Sequence, residues 1–332
     1  LTHYNLYTNA RAFVQLYNFQ PQDRFLMISP LFQAASQTCL LNAAILSGAT
    51  LIIKDGWVNP KNILTLIQNY QITYTFGPPT LYDLLLNHPE ALDYNLNSWK
   101  IAVSSGAALT AETFFWFKEK FGIELCEVYG LTETSPLVCC NFPQGLKKPG
   151  STGLPLPGVE VKVVDYEENE LDGSNVGEII VRGSNIMKGY YQQEEATELA
   201  LRGQWLHTGD FGYKDSDGYL YIMDKKKDII IRGGFPVYPQ EVEGVLYQHP
   251  FVMEAAVTGV PDPLMGEEVL AFILLREGKK IAPEDLQSFC RDKIAMYKIP
   301  KYVKIVDNIP KNLSGKLLRG ALQEMIPADL ED

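Results

Sequence analysis

An α/β domain, continued by a small antiparallel β-barrel unit and closed by an α+β C-terminal unit, is the fold class predicted for these 332 residues. Three observations predict it. Up to about residue 145, helical periodicity alternates with short apolar runs, as in a parallel sheet covered by helices. From 146 to 224 the period drops to two. From 225 onward strands and helices mix around a few strongly apolar segments. The expected boundaries are 1–224 for a large domain, subdivided into 1–145 and 146–224, and 225–332 for a smaller one. A chain of this length commonly divides into more than one core.

The elements follow in order. Asn59 with Pro60 reads as an N-cap and first-turn proline, and Ile63, Leu66, Ile67 and Tyr70 continue at helical spacing. Thr110 can cap a helix that runs through Phe114 and Phe117 and stops at Gly122. The runs Ala49–Ile53, Ile72–Phe76 and Ile101–Val103 read as buried parallel strands. Val159, Val161 and Val163 alternate with polar residues, Asp172-Gly173 marks a turn, and Gly177–Gly183 is a further strand. In the last unit Ala255–Val257 and Val269–Leu275 read as strands. Pro283 opens a helix with Leu286, Phe289, Cys290 and Ile294 on one face.

Hydrophobic content of 46% and charged content of 21% match an ordinary globular protein. No apolar run reaches the length of a membrane span, and the first residues lack the basic and apolar regions of a signal peptide. The cysteines, at 39, 126, 139, 140 and 290, have no metal spacing and an odd count, which suits packing in a reducing cytoplasm. A net charge of −11 argues against nucleic acid as a partner. Most of that charge lies before residue 225, so the C-terminal unit is nearly neutral. The run Lys225-Lys226-Lys227 taken alone would be a solvated face.

Four strings occur in a fixed order: Tyr129-Gly-Leu-Thr-Glu-Thr-Ser-Pro136, Trp205-Leu-His-Thr-Gly-Asp210, Gly233-Gly-Phe-Pro-Val-Tyr-Pro239 and Leu313-Ser-Gly-Lys316. Each pairs glycine or small residues with one committed polar group, the composition expected where backbone approaches a phosphorylated ligand. In this order they resemble the adenylate-forming enzymes, the superfamily that includes acyl-CoA synthetases, from the first residue to about Arg319. The resemblance implies an acyl-CoA synthetase-like fold and an acid–thiol ligase that makes an acyl-adenylate from ATP and then a coenzyme A thioester. It implies ATP, Mg²⁺ and coenzyme A as cofactors and a fatty acid as substrate. It assigns Tyr129 to the adenine, Thr132 to a phosphate oxygen, Glu133 to Mg²⁺, Asp210 to the ribose and Lys316 to bridging the substrate carboxylate and the α-phosphate. Ser105-Gly106-Ala107 resembles the adenine-side loop, Asp224–Asp228 the hinge with its pivot near Lys227, and Gly233-Gly234 the loop that nears the thiol. Activation needs a metal-binding carboxylate and a positioned cation, because anion repulsion is the main obstacle.

The chain departs from the family pattern in places. Lys225 stands where an arginine normally reaches the ribose, which keeps the charge without the planar fork. Pro236 stands where Asn or Gln is usual and cannot donate a backbone hydrogen bond. Pro30-Leu-Phe-Gln33 replaces the usual His with Gln33, which cannot titrate. No Asp occupies the place that holds an amino-acid substrate, and small neighbours such as Gly77, Ala107 and Ala108 suit an apolar acyl chain. The family's phosphate loop would precede Leu1. The expectation is therefore a C-terminal portion of a fatty acid–CoA ligase, inactive alone, from a truncated or split gene, pairing with an N-terminal piece or with itself as a homodimer. An aryl-CoA ligase or carrier-protein ligase, and a non-catalytic nucleotide- or partner-binding remnant, are the alternatives.

Overall fold

A computed structural model of the chain describes residues 1–54, 59–311 and 317–326, with Lys226 described in its backbone only. The first sheet has seven strands: β1 (Arg24–Met27), β2 (Thr50–Ile53), β3 (Tyr74–Gly77), β4 (Ile101–Ser104), β5 (Leu125–Gly130), β6 (Leu137–Cys140) and β7 (Leu154–Pro155). Their order is β2-β1-β3-β4-β5-β6-β7. The first five run parallel and the last two turn antiparallel.

Alternation along each strand explains why helices cover both faces. Phe25, Val103 and Cys126 enter one core with Phe13 and Tyr17 of the N-terminal helix His3–Tyr17. Leu26, Ala102 and Leu125 enter the other, with Ile63, Leu81 and Phe117 from the helices Pro60–Tyr70, Pro79–Leu86 and Ala111–Phe121. The caps form as expected: Asn59 accepts from the Asn62 amide, Thr110 accepts from the Thr113 amide, and Gly122 ends its helix in the left-handed region. β2 corrects one reading. Among the described residues it is the edge strand, half exposed along its length, with no described strand paired beyond it.

The second sheet contains β8 (Val159–Val164), β9 (Gly177–Gly183), β10 (Leu201–Arg202), β11 (Trp205–Lys214) and β12 (Leu220–Lys225) and forms a half-barrel. β8 pairs antiparallel with β9, and Val161, Val163, Ile179 and Val181 point into one apolar cluster. The third sheet has β13 (Ile230–Arg232), β14 (Phe235–Val237), β15 (Val252–Asp262), β16 (Gly266–Leu275) and β17 (Tyr302–Val306). Its order is β14-β13-β16-β15, with β17 parallel beside β16. Val257, Val269 and Ala271 pack against Val242, Leu246, Leu286 and Cys290, while Ala256, Leu270 and Phe272 pack against Leu322 and Ile326. The helix opened by Pro283 ends at Arg291, so Ile294 packs from the turn that follows rather than from the helix.

By internal contacts the chain divides into one unit of residues 1–208 with 212–222 and another of 209–211 with 223–332. All five cysteines are buried and unbridged. Burial pushes the Cys126 thiol up to about 12 and that of Cys290 to about 11, which leaves both as packing groups. Among the described residues, no helix is long and apolar enough to cross a membrane.

Candidate functional site

In the first unit, four of the expected segments leave the carboxyl ends of parallel strands: Pro30–Gln33 after β1, Gly77 at the end of β3, Ser105–Ala108 after β4 and Tyr129–Glu133 at the end of β5. The carboxyl edge is where open α/β sheets bind ligands. Two of these segments touch, since the Ser105 amide donates to the Gly77 carbonyl at 3.1 Å. Gly106 has φ of +91° with open space where a side chain would project, while Ala107 and Ala108 are exposed. At Gly77 a Cβ would lie 2.5 Å from Leu81 Cδ2, so the packing of Leu81 already accounts for that glycine. Gln33 opens a helical segment that continues as a π-helix, Gln37–Asn42.

The turn after Tyr129 is locked from several directions. Gly130 cannot carry a side chain, because a Cβ would overlap the Pro136 carbonyl. That carbonyl accepts from the Leu131 amide at 3.0 Å and from the Thr134 hydroxyl. Thr38 of the π-helix donates to the Ser135 carbonyl at 2.8 Å. Asn185 donates to the Thr134 and Leu137 carbonyls, each at 3.0 Å, and the Ser135 hydroxyl donates to the Asn185 carbonyl at 2.7 Å. Asn9 closes a two-way amide pair with Leu137, at 2.8 and 3.0 Å. Thr132 is exposed, and Glu133 is half-buried.

Glu133 is held at both ends. Its carbonyl accepts from the Met187 amide at 2.8 Å, and its Oε1 accepts from the Tyr190 hydroxyl at 3.0 Å. Partial burial, then the Glu133 carboxylate, raise the Tyr190 pKa, so the phenol stays a donor. One committed carboxylate with a second oxygen outside this hydrogen bond fits Mg²⁺, which takes one or two protein carboxylates and completes its shell with phosphate and water. No cluster of three or more His, Cys, Asp or Glu able to hold a metal occurs among the described residues. Tyr129 is 9% exposed and belongs to the cluster of Val138, Cys139 and Val161, so its ring is mostly committed to that core.

Beneath the Ser105–Ala108 loop lies Glu127, 5% exposed and two residues before Tyr129 on β5. Its Oε1 accepts from the Leu109 amide at 3.2 Å. Burial pushes its pKa to about 8, with the Leu109 hydrogen bond opposing the rise, so the carboxyl is protonated at neutral pH.

In the second unit, Asp210 is 5% exposed, and Lys225 Nζ lies 3.8 Å from its Oδ1. The two residues expected on the ribose side are thus neighbours. Lys227 is exposed in the short 3₁₀ turn Lys226–Asp228 between β12 and β13. Gly233 and Gly234, at φ of +58° and +83°, form the two-residue turn joining β13 to β14, with Arg232 opposite Phe235. A turn of that kind needs positive φ at both places, so the hairpin accounts for both glycines. Pro236 sits on β14 opposite Ile231. Lys316 lies outside the described residues; the flanking Lys311 and Leu317 form an isolated antiparallel bridge.

Sequence reasoning missed Asn9, Thr38, Asn185, Met187 and Tyr190. Asn9 carried a signal, because Asn5 and Asn9 share the helix stripe of Phe13 and Tyr17, and an amide on an apolar stripe needs a partner.

The AMP-binding enzyme profile matches residues 1–191, and that of the AMP-binding enzyme C-terminal domain matches 241–316. A long-chain-fatty-acid–CoA ligase of Bacillus subtilis is 41% identical over 327 residues, covering 98% of this chain and 58% of the ligase. ATP-bound MatB from Rhodopseudomonas palustris superposes with a TM-score of 0.91 at 32% identity, covering 98% of this chain and 64% of that one. The o-succinylbenzoate CoA synthetase of B. subtilis, solved with its acyl-adenylate, gives a TM-score of 0.88 at 32% identity, covering 97% and 65%. The chain thus spans about three fifths of the length of the curated relatives it matches.

Proposed function

The chain belongs to the AMP-binding enzyme family, and from that premise we propose that it works in an ATP-dependent acid–thiol ligase joining a fatty acid to coenzyme A. The observation that carries this reading is the convergence of Gln33, Gly77, Ser105–Ala108 and Tyr129–Glu133 at the carboxyl edge of one parallel sheet. The fatty-acid–CoA ligase relative supports the choice of acid.

In this reading Ser105, Gly106 and Ala107 receive the adenine against backbone, beside Tyr129. Thr132 donates to a phosphate oxygen, and Glu133 holds Mg²⁺. The bound ion would neutralise phosphate charge that otherwise repels the incoming carboxylate. Asp210 accepts from the ribose hydroxyls, with Lys225 beside it. Lys316 bridges the carboxylate and the α-phosphate while a carboxylate oxygen attacks phosphorus and pyrophosphate leaves. Movement about Lys227 then brings the Gly233-Gly234 loop toward the thiol. The thiolate sulfur attacks the acyl carbon, a C–S bond forms, the C–O bond to AMP breaks, and AMP departs. Gln33, Gly77 and Ala108 flank the acyl group.

Asp210→Asn should weaken AMP binding to the 332-residue chain by about 1–3 kcal/mol, the scale of lost charge-assisted hydrogen bonds. Calorimetry showing equal affinity would remove Asp210 from the site. Acid choice is read with sulfamoyl-adenosine analogues of the adenylate: a fatty acyl analogue should bind more tightly than AMP and more tightly than an aminoacyl or aryl one. Preference for the aminoacyl analogue would overturn the fatty acid assignment, and preference for the aryl analogue would make this an aryl-acid ligase.

A further inference from the structure

We propose that Tyr190 is a positioning residue for the divalent cation: by hydrogen bonding to Glu133 Oε1 it orients the carboxylate and leaves the other oxygen for Mg²⁺. The inference rests on the ligase reading and adds a residue that none of the four sequence strings contains.

Glu133 follows β5, whereas Tyr190 lies 57 positions later, and the two meet at 3.0 Å through the phenol hydroxyl. The same later segment grips the glutamate backbone, since the Met187 amide donates to the Glu133 carbonyl at 2.8 Å. Met187 and Tyr190 therefore hold the two ends of one residue, so the carboxylate has little freedom to turn away.

The segment is itself anchored. The Tyr190 amide donates to Thr197 Oγ1 at 2.9 Å, and that hydroxyl donates to the Gln193 carbonyl at 2.7 Å. Gly189, between the two gripping residues, has φ of +153°, and a Cβ there would lie 2.7 Å from Thr197 Cγ2. A side chain at 189 would push Thr197 and Tyr190 apart, which gives this glycine a purpose tied to the tyrosine. Tyr190 keeps 39% of its surface exposed. A ring that served only to fill the core would be more deeply buried.

An unanchored glutamate pays rotamer entropy on taking up a metal; one already held by a phenol has lost part of that freedom on folding. Partners behind a metal ligand commonly change metal affinity by about 10–100-fold. Oxyanion orientation is the expected contribution here, without any proton transfer by Tyr190.

The test uses the 332-residue chain, AMP, and α,β-methylene-ATP titrated with and without Mg²⁺ in a calorimeter. Tyr190→Phe should leave metal-free AMP affinity within twofold of the parent while raising the Mg²⁺ concentration that half-saturates analogue binding about tenfold. Thr197→Val, which removes the anchor and keeps the volume, should move the Mg²⁺ midpoint in the same direction by less, and Thr197→Ser should restore it. Unchanged Mg²⁺ dependence in Tyr190→Phe overturns the inference alone. Equal loss of metal-free AMP affinity shows a packing role and also overturns it. Absence of nucleotide binding by the parent chain overturns the ligase reading and the inference with it.

Discussion

Arg319→Ala should cost the second unit about 3–5 kcal/mol of stability, the effect of stripping the cation from the buried Glu243 carboxylate onto which it forks. Arg319 forks onto Glu243 with NH1 to Oε1 at 2.9 Å and NH2 to Oε2 at 3.1 Å, and NH1 also donates to the Val257 carbonyl at 2.6 Å. Asp224 Oδ1 lies 3.6 Å and Asp228 Oδ2 3.7 Å from the same guanidinium. Asp224 is 2% exposed and Glu243 8%, so water cannot replace the arginine easily. Burial pushes Asp224 up to about 8 despite the pull of Arg319 and the hydrogen bond from the Gln240 amide. Arg319→Lys should recover only part of the loss, because an ammonium cannot reproduce the fork. The deficit of the alanine variant should shrink on acidification, since a protonated carboxyl needs no counter-charge.

The measurement can be confined to one unit. All four tryptophans, at 57, 99, 116 and 205, belong to residues 1–208. Urea unfolding followed by hydrogen exchange of peptides from 223–326 should shift, while the tryptophan fluorescence transition stays in place. A loss below about 1 kcal/mol would make Arg319 an ordinary solvated pair.

The second large effect concerns pH and Glu127. Its carboxyl rises from an ordinary 4.5 to about 8 through burial. Between those values the folded chain keeps a proton that the unfolded chain has released. Stability therefore falls as pH rises through that window and levels off above about 8. The span corresponds to a few kcal/mol, on the order of 5. Glu127→Gln keeps an oxygen for the Leu109 amide and has nothing to ionise. It should match the parent near pH 4.5 and become progressively more stable than it toward pH 8. Asp224 contributes a slope of the same sign in the other unit, so the tryptophan transition, read as variant minus parent, isolates Glu127. A flat difference curve would show that the carboxylate ionises in the fold without penalty.

What the sequence by itself determined is local. The helix caps at Asn59 and Thr110, the stop at Gly122, the alternation of β8 and β9 and the glycine pair at 233–234 each depend on residues within a few positions, so pattern and turn chemistry suffice. Motif order was also legible, and with it the family and the candidacy of Glu133 and Asp210. Tertiary structure alone decided the rest. That β2 is an edge depends on sheet order, which no window of sequence contains. Asn9, Thr38 and Asn185 converge on the turn after Tyr129 from 48 to 128 positions away in sequence, and Tyr190 reaches Glu133 only because the half-barrel segment returns to the end of β5. Glu127 reads as one more charged residue in the chain; the fold buries it and thereby turns it into a neutral acid. Local conformation is written in neighbouring residues, whereas burial and polar pairing are properties of whichever elements stack together.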